Sequence, residues 1–470
     1  MLRRRNNFQE RYNQFLQELK DEIVSGIIRP GEYILPENTL SQQYEISRVS
    51  VRKALAELVS EGLIEKIAGK GNRVKMPDED TTPVTLRLAW FSSSYEIGIV
   101  RKIIGAFEDK HPFVKVELEL LPEHGYTDLL IRMMEQGQGP DAFMMSDFHF
   151  REWVQSGKSD YVTGYVSPHL HVQSSYPEVF GLFTDEGRPL ATPFIFSPVV
   201  ICFNKSIFRE NGVSEETPLR DWDDLLRVAG ECTRDTNSDG LTEQYGFCFS
   251  SSYNRWPVFL LQNGGGLISE DGTRSTLAKA ENIEALEYCT SLMYKHHVSP
   301  IYAHGSSHLA ESLFMKQRVA MIMSTYYFMN EFRDHSIEWD VLSVPHHKKQ
   351  ATLLLGGGLA VNGRSEQIRL TERLIDYMTS IEAQKLLKSF GCTIPVLREA
   401  AEDDTLLNPD IHPLHYNRFL DVLPFAVPLH RLGLSQQKIG MVSDELHLLW
   451  AGMESAEEAC LRIEGRFNQS

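Results

Sequence analysis

Three groups of residues have the types and spacing to do chemistry. The first is Ser47-Arg48-Val49-Ser50-Val51-Arg52-Lys53. Ser47 offers a short oxygen acceptor just ahead of an apolar run at helical spacing, the mark of an N-cap. Val51, Leu55 and Leu58 recur every three to four residues and turn inward, which leaves Arg48, Ser50, Arg52 and Lys53 on the outer face. Cations at a helix start oppose the helix dipole. Such a helix suits phosphate oxygens and base edges, where arginine bonds guanine through two parallel donors. A solvated face with incidental charge is the alternative. The second group is Trp90-Phe91-Ser92-Ser93-Ser94-Tyr95 together with Ser146-Asp147-Phe148-His149. Aromatic rings beside hydroxyls and a carboxylate match a polyhydroxyl ligand, whose ring faces stack while its hydroxyls hydrogen-bond. Core packing of Trp90 and Phe148, with Asp147 as a helix cap, is the alternative. The third group is Asp235-Thr236-Asn237-Ser238-Asp239-Gly240-Leu241-Thr242-Glu243. Its oxygen donors at alternate positions, with glycine at the sharp turn, have calcium-loop spacing. Asp235, Asn237, Asp239, the Leu241 carbonyl and Glu243 would be the ligands. Position twelve is Gly246, so Glu243 must replace the usual bidentate glutamate; a polar turn is the alternative.

The elements that position these groups follow in chain order. Phe15, Leu19, Ile23 and Ile27 form a helical stripe ending at a Gly-rich turn. A short helix opens after Pro36, Glu45-Ile46 makes a tight turn, and the Ser47 helix stops at Gly62. Two short β-like runs, 64–67 and 72–75, flank Ala68-Gly69-Lys70-Gly71. Helix, helix, turn, helix and β-hairpin make a winged helix-turn-helix. Residues 76–83 are acidic and bounded by prolines, which reads as a linker. Beyond it, strands at 84–90, 114–121 and 141–145 alternate with helices at 97–110 and 126–135, the pattern of a parallel α/β sheet. Such sheets bind ligands at the carboxyl ends of their strands, where the second group lies.

Residues 12–75 resemble the head of GntR-type regulators: Y…I…G…PG…LP, then L-S…Y-x-I-S-R-V-S-V-R-K-A-L…E-G-L-I, then G-K-G. The resemblance implies DNA contacts from Ser47, Arg48, Ser50 and Arg52, and a wing tip at Lys70-Gly71 that enters the minor groove. Asn38 stands where that family often has a basic residue. The later chain resembles bacterial extracellular solute-binding proteins of the sugar-binding type. The resemblance is carried by Phe107-Glu108 with Pro112 and Val114-Lys115-Val116, Gly139-Pro140-Asp141, Trp222-Asp223-Asp224-Leu225, Gly356-Gly357-Gly358-Leu359 and Leu449-Trp450-Ala451-Gly452. It implies a two-lobed α/β periplasmic-binding-protein-like domain over 85–470, after a head at 1–76 and a linker at 77–84. Lobe one would span about 85–195 and 360–397, lobe two about 198–356 and 400–470, with crossings near 195–199 and 357–360. Carried over to this chain, the ligand contacts would be Trp90, Ser94, Tyr95, Asp147, Phe148, Ser197, Tyr253, Trp256, Tyr326 and Tyr327. Gly357, within the triple glycine, would admit the ligand to the backbone. Trp222 and Trp450 read as core.

Composition agrees with this division. Residues 1–77 hold 13 basic and 10 acidic side chains, net +3, so with −17 overall the remainder carries −20. Phosphate contacts therefore belong to the head. The basic start, Met1-Leu2-Arg3-Arg4-Arg5, is followed by no apolar run, so neither a signal peptide nor a membrane span is expected. Six scattered cysteines without CxxC spacing fit reduced thiols.

The expectation is a cytoplasmic, homodimeric, non-enzymatic transcriptional regulator. It would bind a double-stranded DNA operator and sense a sugar-like small molecule, with no cofactor beyond a possible structural calcium. One alternative is a GntR head fused to an aminotransferase-like pyridoxal-phosphate domain; the only Ser-x-x-Lys considered for it, Ser435-Gln436-Gln437-Lys438, lies far from mid-domain. The other is a cytoplasmic solute-binding module without DNA binding.

Overall fold

The computed structural model describes residues 2–78, 83–269, 273–301, 309–334, 337–434 and 436–468. The head begins with α1 (Leu2–Val24), whose Tyr12, Phe15, Leu19 and Ile23 are buried. The helix ends sooner than the apolar stripe predicts. Gly26 takes φ +74°, and Ile27 beyond it is 54% exposed rather than part of the stripe. After α2 (Glu37–Gln43), Glu45 adopts a left-handed φ of 51° in the tight turn that leads to α3 (Arg48–Ser60). Val51, Ala54, Leu55 and Leu58 of α3 are buried. The wing is β1 (Ile64–Ile67) antiparallel to β2 (Gly71–Val74), with Ile64 opposite Val74 and Ile67 opposite Gly71.

Beyond the linker come β3 (Val84–Phe91), α4 (Ile97–Lys110), β4 (Val114–Leu121), α5 (Tyr126–Glu135), β5 (Ala142–Ser146) and α6 (Asp147–Gln155). β3 runs parallel to β4 on one side and β5 on the other. The sheet is not parallel throughout, because the two crossing strands run antiparallel to each other and the second runs antiparallel to β5. The strand Thr192–Asn204 is buried along its whole length, which fits a strand covered on both faces. Its first half pairs with Thr352–Val361 and its second half with Val319–Thr325 and Trp339–Leu342. The change of partner falls beside Pro198, which has no amide hydrogen to give to a ladder.

The return strand Thr352–Val361 exchanges partners earlier than the sequence suggests. Gly357–Val361 is already in register with β5, while Thr352, Leu353 and Leu354 pair with Ala426–Pro428. The triple glycine inside it has a packing cause. A Cβ on Gly356 would sit 2.6 Å from Leu182, one on Gly357 2.0 Å from Met144, and one on Gly358 2.8 Å from Phe183. Side chains, not open space for a ligand, fill the room these glycines leave.

The head is more than tethered. Its buried side chains and those on the α4 side of β3 (Leu86, Leu88, Ile103, Phe107) form one contiguous apolar cluster. A Cβ on Gly26 would lie 2.9 Å from the His111 imidazole at the end of α4. Asp21 approaches Arg369 at 3.9 Å. Between α1 and the helix Ile368–Met378 lies a cleft of about 1240 Å³, lined among others by Glu18, Asp21, Glu22, Arg369, Glu372 and Arg373. All six cysteines are buried and none forms a disulfide. No helix among the described residues is long and apolar enough to cross a membrane.

Candidate functional site

The head presents its candidate DNA surface on the first turns of α3. Ser47 Oγ accepts the Ser50 amide at 3.1 Å, satisfying an amide that the helix start leaves unpaired. The Ser50 hydroxyl then lies 2.8 Å from Ser47 Oγ, and the residue is only 7% exposed. Ser50 is thus placed inward and completes the cap, contrary to the outward position its spacing predicts. Arg48, Arg52 and Lys53 are exposed, as is Val49 between them at 75%. Arg52 Nε donates to Glu37 on α2 at 2.7 Å, which aims the guanidinium while leaving donors free of that bond. Lys53 rests 5.2 Å from the Tyr12 ring centre and 3.9 Å from Glu57. At the wing tip Lys70 is exposed and Gly71 holds φ +111°, a conformation side-chain-bearing residues rarely adopt. Arg73 is held by Glu65 on the paired strand.

The second candidate site lies where the lobes meet. Asp147 is the first residue of α6, with Ser146 as the cap accepting the His149 amide at 3.2 Å. Asp147 is 4% exposed and its Oδ1 accepts the Gly356 amide at 3.0 Å. Burial pushes its carboxyl up, against the opposing pull of that amide and of Arg151 and Arg255. Phe148 is half-buried, with its ring 6.4 Å from that of Tyr253, and the Arg151 guanidinium lies 5.4 Å over Tyr253. Burial also raises the Tyr253 and Tyr327 hydroxyls, with the Asp147 charge adding to both. Tyr95 is 37% exposed, its ring edge-on to Phe328 at 6.0 Å. Ser94 donates to Glu96, a carboxyl that burial also raises. These groups come from both lobes. They supply aromatic faces, acceptors and donors suited to a polyhydroxyl molecule.

The other sequence-selected residues are placed in packing. Trp90 is fully buried, donates Nε1 to Ser94 at 2.8 Å and meets Phe194 edge-on at 6.0 Å. Trp256 is fully buried in lobe two, edge-on to Trp450 at 6.3 Å. Ser197 is buried at the crossing, where its hydroxyl accepts the Tyr326 amide at 2.8 Å and donates to the Pro198 carbonyl at 3.0 Å. Tyr326 packs on Phe419 at 4.6 Å. Trp222 stacks on Tyr288 and His347, and Trp450 is 3% exposed, as expected of core.

Sequence reasoning missed Glu96, Arg151, Arg255 and Glu311, all buried at this junction. Two carried a usable signal: Arg151 stands four residues after Asp147 on one helix face, and Arg255 sits between Tyr253 and Trp256.

In the loop 235–243, the carboxylates of Asp235, Asp239 and Glu243 lie within 4.8 Å of one another. Asp235 accepts the Gly240 amide at 2.7 Å, and such backbone bonds hold its carboxyl below the usual range. Asn237 Nδ2 donates to Asp239 at 3.0 Å, Glu243 accepts the Thr236 amide at 2.7 Å, and Leu241 is 69% exposed. An all-oxygen set of this spacing fits a hard cation such as calcium. Gly246 cannot be exchanged for a twelfth-position ligand, since a Cβ there would meet the Ala229 carbonyl at 1.8 Å.

Two lobes joined by shared strands, with a mixed polar and aromatic junction between them, define the solute-binding class of fold. The family model "Bacterial extracellular solute-binding protein" matches residues 93–385, more than half of the chain, and the protein belongs to that family. The head, residues 11–74, matches the model of bacterial regulatory proteins of the gntR family. The arabinose metabolism transcriptional repressor of Geobacillus stearothermophilus is 36% identical over 120 residues, 26% of this chain and 30% of that protein. A probable fructoselysine utilization operon transcriptional repressor of Escherichia coli is 35% identical over 75 residues, 16% of this chain and 31% of its own. This chain thus spans about three-tenths of the length of those relatives. Among solved structures, the substrate-binding protein Lmo0181 of Listeria monocytogenes in complex with cycloalternan aligns with a TM-score of 0.70 and 21% identity, over 82% of this chain and 98% of that one. Maltose-bound MalE3 of T. maritima aligns at 0.67 and 19%, over 82% and 99%. At these identities the structures show the fold. Neither matched family is an enzyme family.

Proposed function

We propose that this protein is a transcriptional regulator that binds a double-stranded operator through its head and senses a saccharide between its two lobes. The observation that carries the reading is the union, in one chain, of an exposed Arg48/Arg52/Lys53 face with a sensor whose lobes share two strands. Curated relatives of the head are repressors named for sugar or sugar-derivative metabolism, and the structural neighbours hold saccharides, which supports the choice of effector class.

In this reading the protein works in the cytoplasm as a homodimer, two heads reading two half-sites. Ligand binding between the lobes favours the closed arrangement by its differential affinity for it. Because the head shares a core with the α4 side of lobe one, closure moves lobe two against the pair of head and lobe one. Operator affinity then changes as the spacing or orientation of the two heads changes.

The deciding experiment is a gel shift of the full-length protein on its own promoter region, with and without a panel of mono- and oligosaccharides. At least one saccharide is expected to alter operator affinity by about tenfold, the low end of ordinary coupling energies. Operator binding that no saccharide alters overturns the sensing half; absence of operator binding overturns the regulatory half. We further propose that the 235–243 loop binds calcium in a structural role. Chelation with EDTA should then lower the melting temperature of the full chain; an unchanged melting temperature would reduce the loop to a turn.

A further inference from the structure

The junction between the lobes holds charge that a neutral saccharide would leave uncompensated. Arg151 is 8% exposed and Arg255 is 7% exposed. Arg151 Nη1 donates to the Leu434 carbonyl at 3.1 Å, but its Nη2 is buried without an acceptor. Arg255 Nη1 donates to the Asn254 carbonyl at 3.0 Å, while its Nε is buried without an acceptor. Among the described residues, no carboxylate oxygen lies within 4.0 Å of either guanidinium. An unpaired buried charge and an unmet buried donor each cost several kcal/mol, roughly, and neither persists without a partner at some stage of the working cycle.

Four carboxyls share the region, and they do not remove the problem; the fourth, Glu152, accepts the Thr127 hydroxyl. Asp147 is committed to the Gly356 amide and Glu96 to Ser94. Glu311 faces Arg255 as its leading counter-charge, yet its Oε2 is itself buried without a donor. The two kinds of group differ in one respect that decides the matter. Burial favours the uncharged form of Asp147 and Glu96, whereas a guanidinium stays cationic. The permanent charge here is therefore positive, and it comes from both sides. Arg151 belongs to lobe one and Arg255 to lobe two, and both act on Asp147.

We infer that the effector is an anionic saccharide, a sugar ring bearing a carboxylate or a phosphate, whose charged group is taken up by Arg151 and Arg255 across the closing lobes. Planar guanidinium donors match both oxyanions. The rings of Phe148 and Tyr253 serve the apolar sugar face, and the orphan Glu311 oxygen accepts a sugar hydroxyl. An anion contacted by one arginine from each lobe makes closure depend on ligand charge, so a neutral analogue would occupy the site without driving the change.

This rests on the saccharide-sensing reading, and the test separates the two. Full-length protein is titrated calorimetrically with matched pairs: galacturonate against galactose, glucuronate against glucose, and glucose 6-phosphate against glucose. Inorganic phosphate and acetate are titrated alone. At least one anionic member is expected to bind about tenfold or more tighter than its neutral partner, the gain of one charge-assisted contact. Arg255→Gln and Arg151→Gln should each reduce that preference to about threefold or less. The wild-type pairs carry the test if either variant fails to fold. The carboxylate and phosphate arms identify which oxyanion is read. Neutral sugars binding as tightly as their anionic partners would overturn the inference and leave saccharide sensing intact. No saccharide binding in any arm would overturn both. Free phosphate or acetate binding as tightly as the sugar would overturn the saccharide half of the assignment.

Discussion

The reading face of the head and the junction of the lobes solve opposite problems with similar residues. On the head, Arg48, Arg52 and Lys53 stand in water within six consecutive positions, and the partner proposed for them is a polyanion that arrives from outside. At the junction, Arg151 and Arg255 are buried, 104 positions apart, and packed by the fold before any ligand arrives. An exposed cation is nearly free to keep, because water screens it and surface pairs contribute little. A buried cation is costly to keep, which is the ground for the occupant inferred above. Replacing a head cation should therefore change binding and leave stability alone, whereas junction and core residues should register in stability first.

The largest expected effect tests the stability side of that contrast. Trp256→Ala removes a fully buried ring from lobe two and should cost about 3–5 kcal/mol of unfolding free energy, read by urea denaturation. A loss below about 1 kcal/mol would mean the ring is not structural packing. Next comes acid. Burial lowers His149 to about 3 and His430 to about 4, so the folded state holds both neutral while the unfolded chain protonates them near 6.5. The unfolded state thus binds more protons as pH falls below about 6.5, and stability falls with it. Between pH 7 and pH 5 each histidine should remove about 2 kcal/mol, read by denaturation at the two pH values. An equal loss between pH 7 and pH 5 in His430→Gln and in the unchanged protein would show that the His430 ring is not buried neutral.

Smaller effects belong to the head. Arg48→Ala should weaken operator binding by about 1–3 kcal/mol in a gel shift, with the melting temperature within about 1 °C. Equal losses in stability and binding would erase the contrast. Smallest of all, Glu37→Gln frees Arg52 from an exposed pair. It should change stability by less than about 1 kcal/mol while raising operator affinity about twofold at low salt, since one negative charge leaves the phosphate-facing surface.

The same contrast explains what the sequence made legible. The winged helix could be read almost residue by residue because its contacts are local: Ser47 caps three residues ahead, and the wing closes between Ile67 and Gly71. Two residues were misplaced: Ile27, which lies beyond the early end of α1, and Ser50, since a cap with two hydroxyls draws the second one inward, which spacing alone does not reveal. In the sensor the strand–helix alternation was legible through β5, where hydrophobic periodicity sets each element. The strand Thr192–Asn204 defeats periodicity because every residue in it is buried, and its change of partner leaves no alternation to read. The junction was half legible. Asp147 and Phe148 followed from the strand-end rule, but Arg255 reaches it from a distant turn and Glu311 from the helix Leu309–Met315. The triple glycine was noticed and given the wrong cause, because the methionine, leucine and phenylalanine that require it come from other segments.

The seam between Gly26 and His111 has a genetic consequence. Gly26 holds a left-handed φ with the imidazole against it, and burial keeps that imidazole's pKa below its ordinary value. A side chain here would be strained by its backbone and would push on the end of α4, without touching DNA or ligand. Alleles at 26 or 111 should therefore leave operator recognition and effector affinity each measurable on its own, while breaking the connection between them. In a screen for cells in which the effector no longer alters operator occupancy, such alleles would collect at this seam, far from both proposed sites.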